Sequence, residues 1–355
     1  MDKKKYVAYV GTYTDGTSAS EGIHLYHADI EEGTLDFWKV VKVNNCSHLA
    51  LSKNGKYLYS IADEGVEVFE IQPDGDLKPI NQVDIKGMRG THLATDHSGK
   101  HLFVGGYHDG KVTMVHTHSD GRLGHVEDGI FHKGTGSVAE RNFRPHVCCV
   151  RPTPDNKYLC AVDNGIDQVI VYRIDSEQNR LRKEEIVRMR RESGPRVVQF
   201  SKDGKHMYVL CQLENSIVAY NYTDTPKGPV FEKNQEITTL SNNDKEDEYD
   251  AACAMVFSPD GHYLFCSTAG DDTLSMYKVE DETGLLEKKF VLPISGEFPK
   301  SVVPFPDGRH IAVANNSSNS ITTFTVDYER SLMIMKGKPQ KVEEPNCILF
   351  KEIEG

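Results

Sequence analysis

"LSKNGKYLYS" at residues 51–60 reads as the end of one β-strand, a tight turn and the start of the next, and near-copies of it recur along the chain. They are "TDHSGKHLFV" (95–104), "PTPDNKYLCA" (152–161), "FSKDGKHMYV" (200–209), "FSPDGHYLFC" (257–266) and "PFPDGRHIAV" (304–313). Gly and Asn tolerate the positive φ of tight turns, so an Asp/Asn-Gly step between β-rich runs marks a hairpin. Six such phrases in one chain predict a repeat array.

Alternating runs supply the ruler. They begin at residues 23, 66, 112, 169, 217, 274 and 321, so successive starts are 43, 46, 57, 48, 57 and 47 residues apart. That period suits four short strands per unit, as in a propeller blade. Seven such third strands accompany six turn phrases, and the termini account for the difference. "KYVAYVGTY" (5–13) is a second strand with no first strand before it, and "PNCILF" (345–350) is a first strand with no blade after it. Placed in one blade they close the ring and remove the exposed edges of an open stack. The expected fold is all-β: a seven-bladed β-propeller of four-stranded antiparallel blades, one domain over 1–355. Both long units carry their excess between a fourth strand and the next first strand, at 124–146 and 233–250. Long loops on a rigid scaffold are where binding function tends to sit. The acidic 242–248 reads as a solvated excursion.

Of 355 residues, 38% are hydrophobic, and no apolar run approaches the ~18–20 residues of a membrane span. A net charge of −12 without a basic run argues against nucleic acid. Eight cysteines without CxxC pairs or zinc spacing fit reduced thiols, and the start lacks the apolar segment of a secretory signal, so a cytoplasmic location is expected. No phosphate-cradling glycine motif or dense carboxylate cluster appears, so neither cofactor nor metal is expected. The expected partner is a small molecule, with the protein a monomer or weak homodimer.

In an up-and-down meander, the Asp-Gly turns share one face with the turns between third and fourth strands. Chemistry belongs on the opposite face, which receives the start of each first strand and both long loops. Eight residues before each turn Gly or Asn stand Ser47, Thr91, Cys148, Arg196, Cys253 and Lys300. Arg196 and Lys300, each preceded by proline, are cations that could hold a phosphate or carboxylate, with Arg141 and Arg144 adding to them; they could equally pair with acidic side chains. His146 lies two residues before Cys148, on the same side of the strand. The pair reads either as thiolate and base or as a buried, inert thiol beside a hydrogen-bonded imidazole. Ends of second strands add Asp63, Asp163, Gln212, Ala269 and Asn315. Asp163 and Asn315 could hydrogen-bond a sugar or cap loop backbone.

The phrases "YVGTYT", "RPHVCCVRPTPDNKYLCAVDNGIDQVIVYRID" and "GPRVVQFSKDGK" resemble those of the seven-bladed propeller lactonases, which include the propeller-type 6-phosphogluconolactonases and the carboxy-cis,cis-muconate cyclising enzymes. The resemblance spans about residues 5 to 350. It implies hydrolysis of small anionic sugar lactones without a metal. The family's Gly-Pro-Arg-His pattern is met by Gly194-Pro195-Arg196 followed by Val197, which implies Arg196 as the substrate-binding arginine. Its Pro-His-x-His is Pro145-His146-Val147-Cys148, so Cys148 replaces the second histidine. Gln212 stands where the family has a carboxylate, and Ala269 where it has an arginine. The catalytic candidates are therefore His146, Arg196, Cys148 and Gln212, and the substrate-binding candidates Arg196, Lys300, Arg144, Asp163 and Asn315.

Overall fold

The computed structural model describes residues 4–136, 143–241 and 249–354. Within each copy of the turn phrase the same two backbone bonds close the hairpin. The Gly55 amide donates to the Ser52 carbonyl (2.8 Å) and the Ser52 amide to the Tyr57 carbonyl (2.9 Å), and equivalent pairs recur at Asp96, Thr153, Ser201, Ser258 and Phe305. Asn156 takes the glycine's place in the third copy with φ 59°, the left-handed conformation that asparagine tolerates.

Each phrase joins a short first strand to a second strand that is almost wholly buried, as in Tyr158–Asp163, His206–Cys211 and His310–Asn315. Third strands follow, and then fourth strands such as Arg180–Arg188 that turn mostly polar residues to solvent. The result is seven antiparallel sheets of this meander, the seven blades of a β-propeller. Lys5–Thr12 lies between Gly22–Asp29 and Pro345–Ile353, so the two chain ends meet in one sheet as predicted.

The chain divides into two compact units, one of residues 1–49, 71–77 and 238–355, the other of 50–70 and 78–237. In the second unit, Tyr158, Cys160, Val169 and Val171 of one sheet pack on Val198, Met207, Val209 and Val218 of the next. In the first unit, Phe265, Leu274 and Met276 pack on Val302, Ile311, Val313 and Phe324 in the same way. Among the described residues no helix is long and apolar enough to cross a membrane.

The fourth strands run further than the sequence reading placed them. Leu123–Phe131 and Gly228–Thr238 are strands, so the long excursions begin at residues 132 and 239 instead of 124 and 233. Register explains the first: Met114 opposes Asp128 and Lys111 opposes Phe131, which extends the ladder through a stretch without apolar alternation. The acidic 242–248 lies outside the described residues.

Candidate functional site

First strands share an irregularity that decides what their side chains can reach. Val147 opposes Asp163 and Cys149 opposes Val162, which leaves Cys148 as the extra residue of a β-bulge. Arg196 between Pro195 and Val197, Cys253 between Ala252 and Ala254, and Lys300 between Pro299 and Ser301 occupy the same position in their sheets. A bulge frees one residue from the ladder and re-aims its side chain, and such sites cluster beside functional centres. Asn346, between Pro345 and Cys347, is a fifth case, which the turn phrases do not reveal because none follows it.

The segment leading to a bulge is pinned by the sheet before it. Asp167, at φ 53°, accepts the backbone amides of Glu192 (2.9 Å) and Gly194 (3.0 Å), which fixes the approach to Arg196. Asp272 accepts the Phe298 amide (2.8 Å) before Lys300, and Asn319 the Glu344 amide (2.9 Å) before Asn346.

In the second unit these devices hold two side-chain pairs. The Arg196 guanidinium donates to Oε1 of Gln212 (2.8 Å). His146 is buried and stacks on Tyr107, ring centroids 4.2 Å apart. Its Nδ1 is 2.7 Å from the Tyr107 carbonyl oxygen. A carbonyl only accepts, so Nδ1 carries the proton and the neutral ring keeps its lone pair on Nε2. That nitrogen has no hydrogen-bond partner among the described residues.

Asp163, fully buried, uses both oxygens internally. Oδ1 accepts the amides of His146 (2.8 Å) and Gly165 (3.0 Å), and Oδ2 pairs with His132 Nδ1 at 2.7 Å. Of its two sequence readings the structure shows backbone capping, and the carboxylate anchors both ends of the 132–146 excursion. Gly165 has a steric duty here: a Cβ on it would stand 1.7 Å from the Arg144 carbonyl oxygen.

Cys148 directs its thiol to the His146 carbonyl oxygen (3.6 Å). Burial pushes the thiol up to about 12, although the Arg196 charge works the other way. At neutral pH it is a thiol, not a nucleophilic thiolate. Arg144 is exposed and lies over the Phe143 ring at 5.5 Å. Arg141 falls outside the described residues.

Three further residues stand beside this group that no sequence pattern singled out: Tyr107 and His108, on the turn between second and third strands of the preceding sheet, and Arg89. Burial, then the nearby charge of Arg89, lowers the His108 pKa below its ordinary 6.5. Arg89 itself meets Asp63 at 3.3 Å.

Lys300 and Asn315 belong to the first unit. The Lys300 ammonium lies over Tyr13 (4.8 Å) and Phe298 (5.5 Å), an aromatic setting favourable to a cation. Asn315 is fully buried, its amide nitrogen donating to Ser320 (3.3 Å) and Thr322 (3.2 Å) hydroxyls. Ala269, also buried, pairs with Ala251.

A base with a free ring nitrogen can activate water, and a guanidinium on a bulged strand can hold an anion. Known proteins resemble this chain over nearly its whole length. The chain is 28% identical to the 6-phosphogluconolactonase of Bacillus subtilis (strain 168), with 98% of each chain covered. It is also 28% identical to the 6-phosphogluconolactonase of Formosa agariphila, with 95% of each covered. The solved structure of the periplasmic gluconolactonase of Pseudomonas aeruginosa superposes with a TM-score of 0.91 at 27% identity, covering 98% of this chain and 99% of that one. The family model described as lactonase, 7-bladed beta-propeller, matches residues 7–350, and the chain belongs to that family.

Proposed function

We propose that this protein hydrolyses a small anionic sugar lactone, with His146 as general base and Arg196 as the group that holds negative charge. The tautomer of His146 carries the reading: its Nδ1 proton is committed to the Tyr107 carbonyl 2.7 Å away, so Nε2 is the nitrogen able to take a proton. Water attacks the lactone carbonyl as Nε2 removes its proton, and the carbonyl oxygen gains the charge. The tetrahedral species then collapses, the ring C–O bond breaks, and the departing alkoxide takes up the proton to give the hydroxy acid. A guanidinium stabilises the charged oxygen through directed hydrogen bonds.

Gln212 supports this role. As a neutral partner 2.8 Å from Arg196 it orients the guanidinium without cancelling its charge. The site is altered from the pattern that the sequence resemblance implies, with Gln212, Cys148 and Ala269 at changed positions, and His146 takes the base role in their stead. Relatives named 6-phosphogluconolactonase and gluconolactonase favour a sugar lactone as the substrate class. All eight cysteines are free thiols, which fits a reducing, cytoplasmic setting.

The test is hydrolysis of 6-phosphogluconolactone and of unphosphorylated gluconolactone, each corrected for spontaneous opening, with wild type and Arg196→Ala. Turnover that prefers the phosphorylated lactone and is lost with Arg196 supports the reading. Anion binding without turnover of either lactone overturns it in favour of a ligand-binding propeller.

A further inference from the structure

Far from His146 in sequence, the hairpin "VHTHSDGRLGHVED" (115–128) places three histidines on neighbouring strands. His116 and His118 are two residues apart at the end of a third strand, so their side chains leave the same face. His125 belongs to the fourth strand beside it. His116 lies 4.9 Å from His118 and 5.9 Å from His125, measured between ring centroids.

His116 is preset as a ligand. Its Nδ1 is held at 3.1 Å by Oε1 of Glu127, whose side chain is only 2% exposed and whose other oxygen meets His101 at 3.3 Å. A carboxylate on one imidazole nitrogen fixes the tautomer, makes the other nitrogen more basic and turns it outward, as behind many metal-bound histidines. The outward edge faces Gly124. A Cβ on that glycine would stand 3.0 Å from His118 Nε2 and 3.2 Å from His116 Cδ2. The missing side chain thus lets both rings lie close against the backbone, closer than a Cβ would readily tolerate.

We infer that His116, His118 and His125 form a binding site for a divalent cation that prefers imidazole, of the zinc, nickel and copper class, beside Gly124. Among the described residues no three ligating side chains already converge on one point. His118 and His125 are exposed and turn on binding, losing rotamer freedom as they do. Imidazole donors suit this class of metal, whereas magnesium and calcium require oxygen.

The experiment is calorimetric titration of the full chain with Zn²⁺ at pH 7.5, followed by histidine ring NMR, for wild type, His118→Ala, His125→Ala, the His116/His118/His125 triple alanine variant and Gly124→Ala. The single histidine variants alter exposed side chains and keep the fold. One Zn²⁺ per chain is expected, weakened at least tenfold by each single histidine change and abolished in the triple variant. Gly124→Ala removes no ligand and is also expected to weaken binding, because its Cβ displaces the two rings. Undiminished binding in the triple variant, or none in wild type, overturns the assignment. Full binding in Gly124→Ala overturns the placement beside that glycine.

Discussion

The guanidinium of Arg196 and the side-chain oxygen of Gln212 are 2.8 Å apart, joining the bulged residue of one strand to the residue just beyond the end of its neighbour. An amide here leaves the arginine's charge available to a substrate, where a carboxylate would neutralise it. Gln212→Glu is therefore expected to raise KM for an anionic lactone about tenfold, equivalent to ~1.4 kcal/mol of lost binding, with a smaller change for an uncharged lactone. Steady-state kinetics on both substrates check this. An unchanged KM for the anionic lactone would remove Arg196 from anion binding.

Cys148 neighbours His146 in sequence, yet its thiol is pushed up to about 12 by burial and points at a backbone oxygen. Cys148→Ser is expected to keep kcat/KM within about threefold, well short of the ~10²–10⁴-fold that loss of a proton-transfer group costs. Iodoacetamide at pH 8 is expected to leave activity intact. Inactivation that tracks modification of Cys148 would instead assign it a chemical role.

The blades were legible in the sequence because their turns need Gly or Asn at one position, and that need recurs with a fixed period. The same regularity explains why counting back from the turns reached Cys148, Arg196, Cys253 and Lys300, all four of them bulge residues. Contacts between distant segments were not legible. Tyr107 meets His146 across 39 residues, and His132 meets Asp163 across 31. No local pattern records either pairing. The outer strand Leu123–Phe131 was cut short for a different reason: its solvent-facing residues in "GHVEDGIF" lack the apolar alternation that marks a buried strand.

Asp96 ties stability to pH. Burial alone would raise its pKa, but the His101 ring 3.6 Å away and hydrogen bonds from Ser98, the His101 amide and Asn156 outweigh it and hold the carboxyl well below its ordinary 3.8. A depressed folded value means stability that is fully present above the unfolded pKa and lost as pH falls below it towards the folded value. Asp96→Asn is expected to cost roughly 1.5–3 kcal/mol at pH 7, with the gap to wild type narrowing below about pH 4. Urea denaturation at pH 7, 5 and 3 measures it. A gap that stays constant with pH would assign the loss to packing alone.

Pro345–Ile353 covers the edge of Lys5–Thr12, with Ile348 packed among Ala8, Val10 and Tyr26. Deleting residues 345–355 exposes that edge and its apolar face, and an unpaired strand edge invites aggregation. The truncated chain is expected to lose most of its soluble yield and to melt roughly 4–7 °C lower, as a loss of a few kcal/mol implies for a chain this long. A soluble product with unchanged melting would contradict the closing role of the C-terminal strand.

The central claim is that His146 Nε2 activates water, and His146→Gln tests it most directly. The glutamine amide can still donate to the Tyr107 carbonyl, and the Asp163 bond to the backbone amide of residue 146 does not depend on the ring. The quantity to measure is kcat for 6-phosphogluconolactone, corrected for spontaneous opening and set beside the melting temperature of the same preparation. The account predicts kcat lower by ~10²–10⁴-fold at nearly unchanged KM and melting temperature. A folded His146→Gln variant that turns over at the wild-type rate would contradict it.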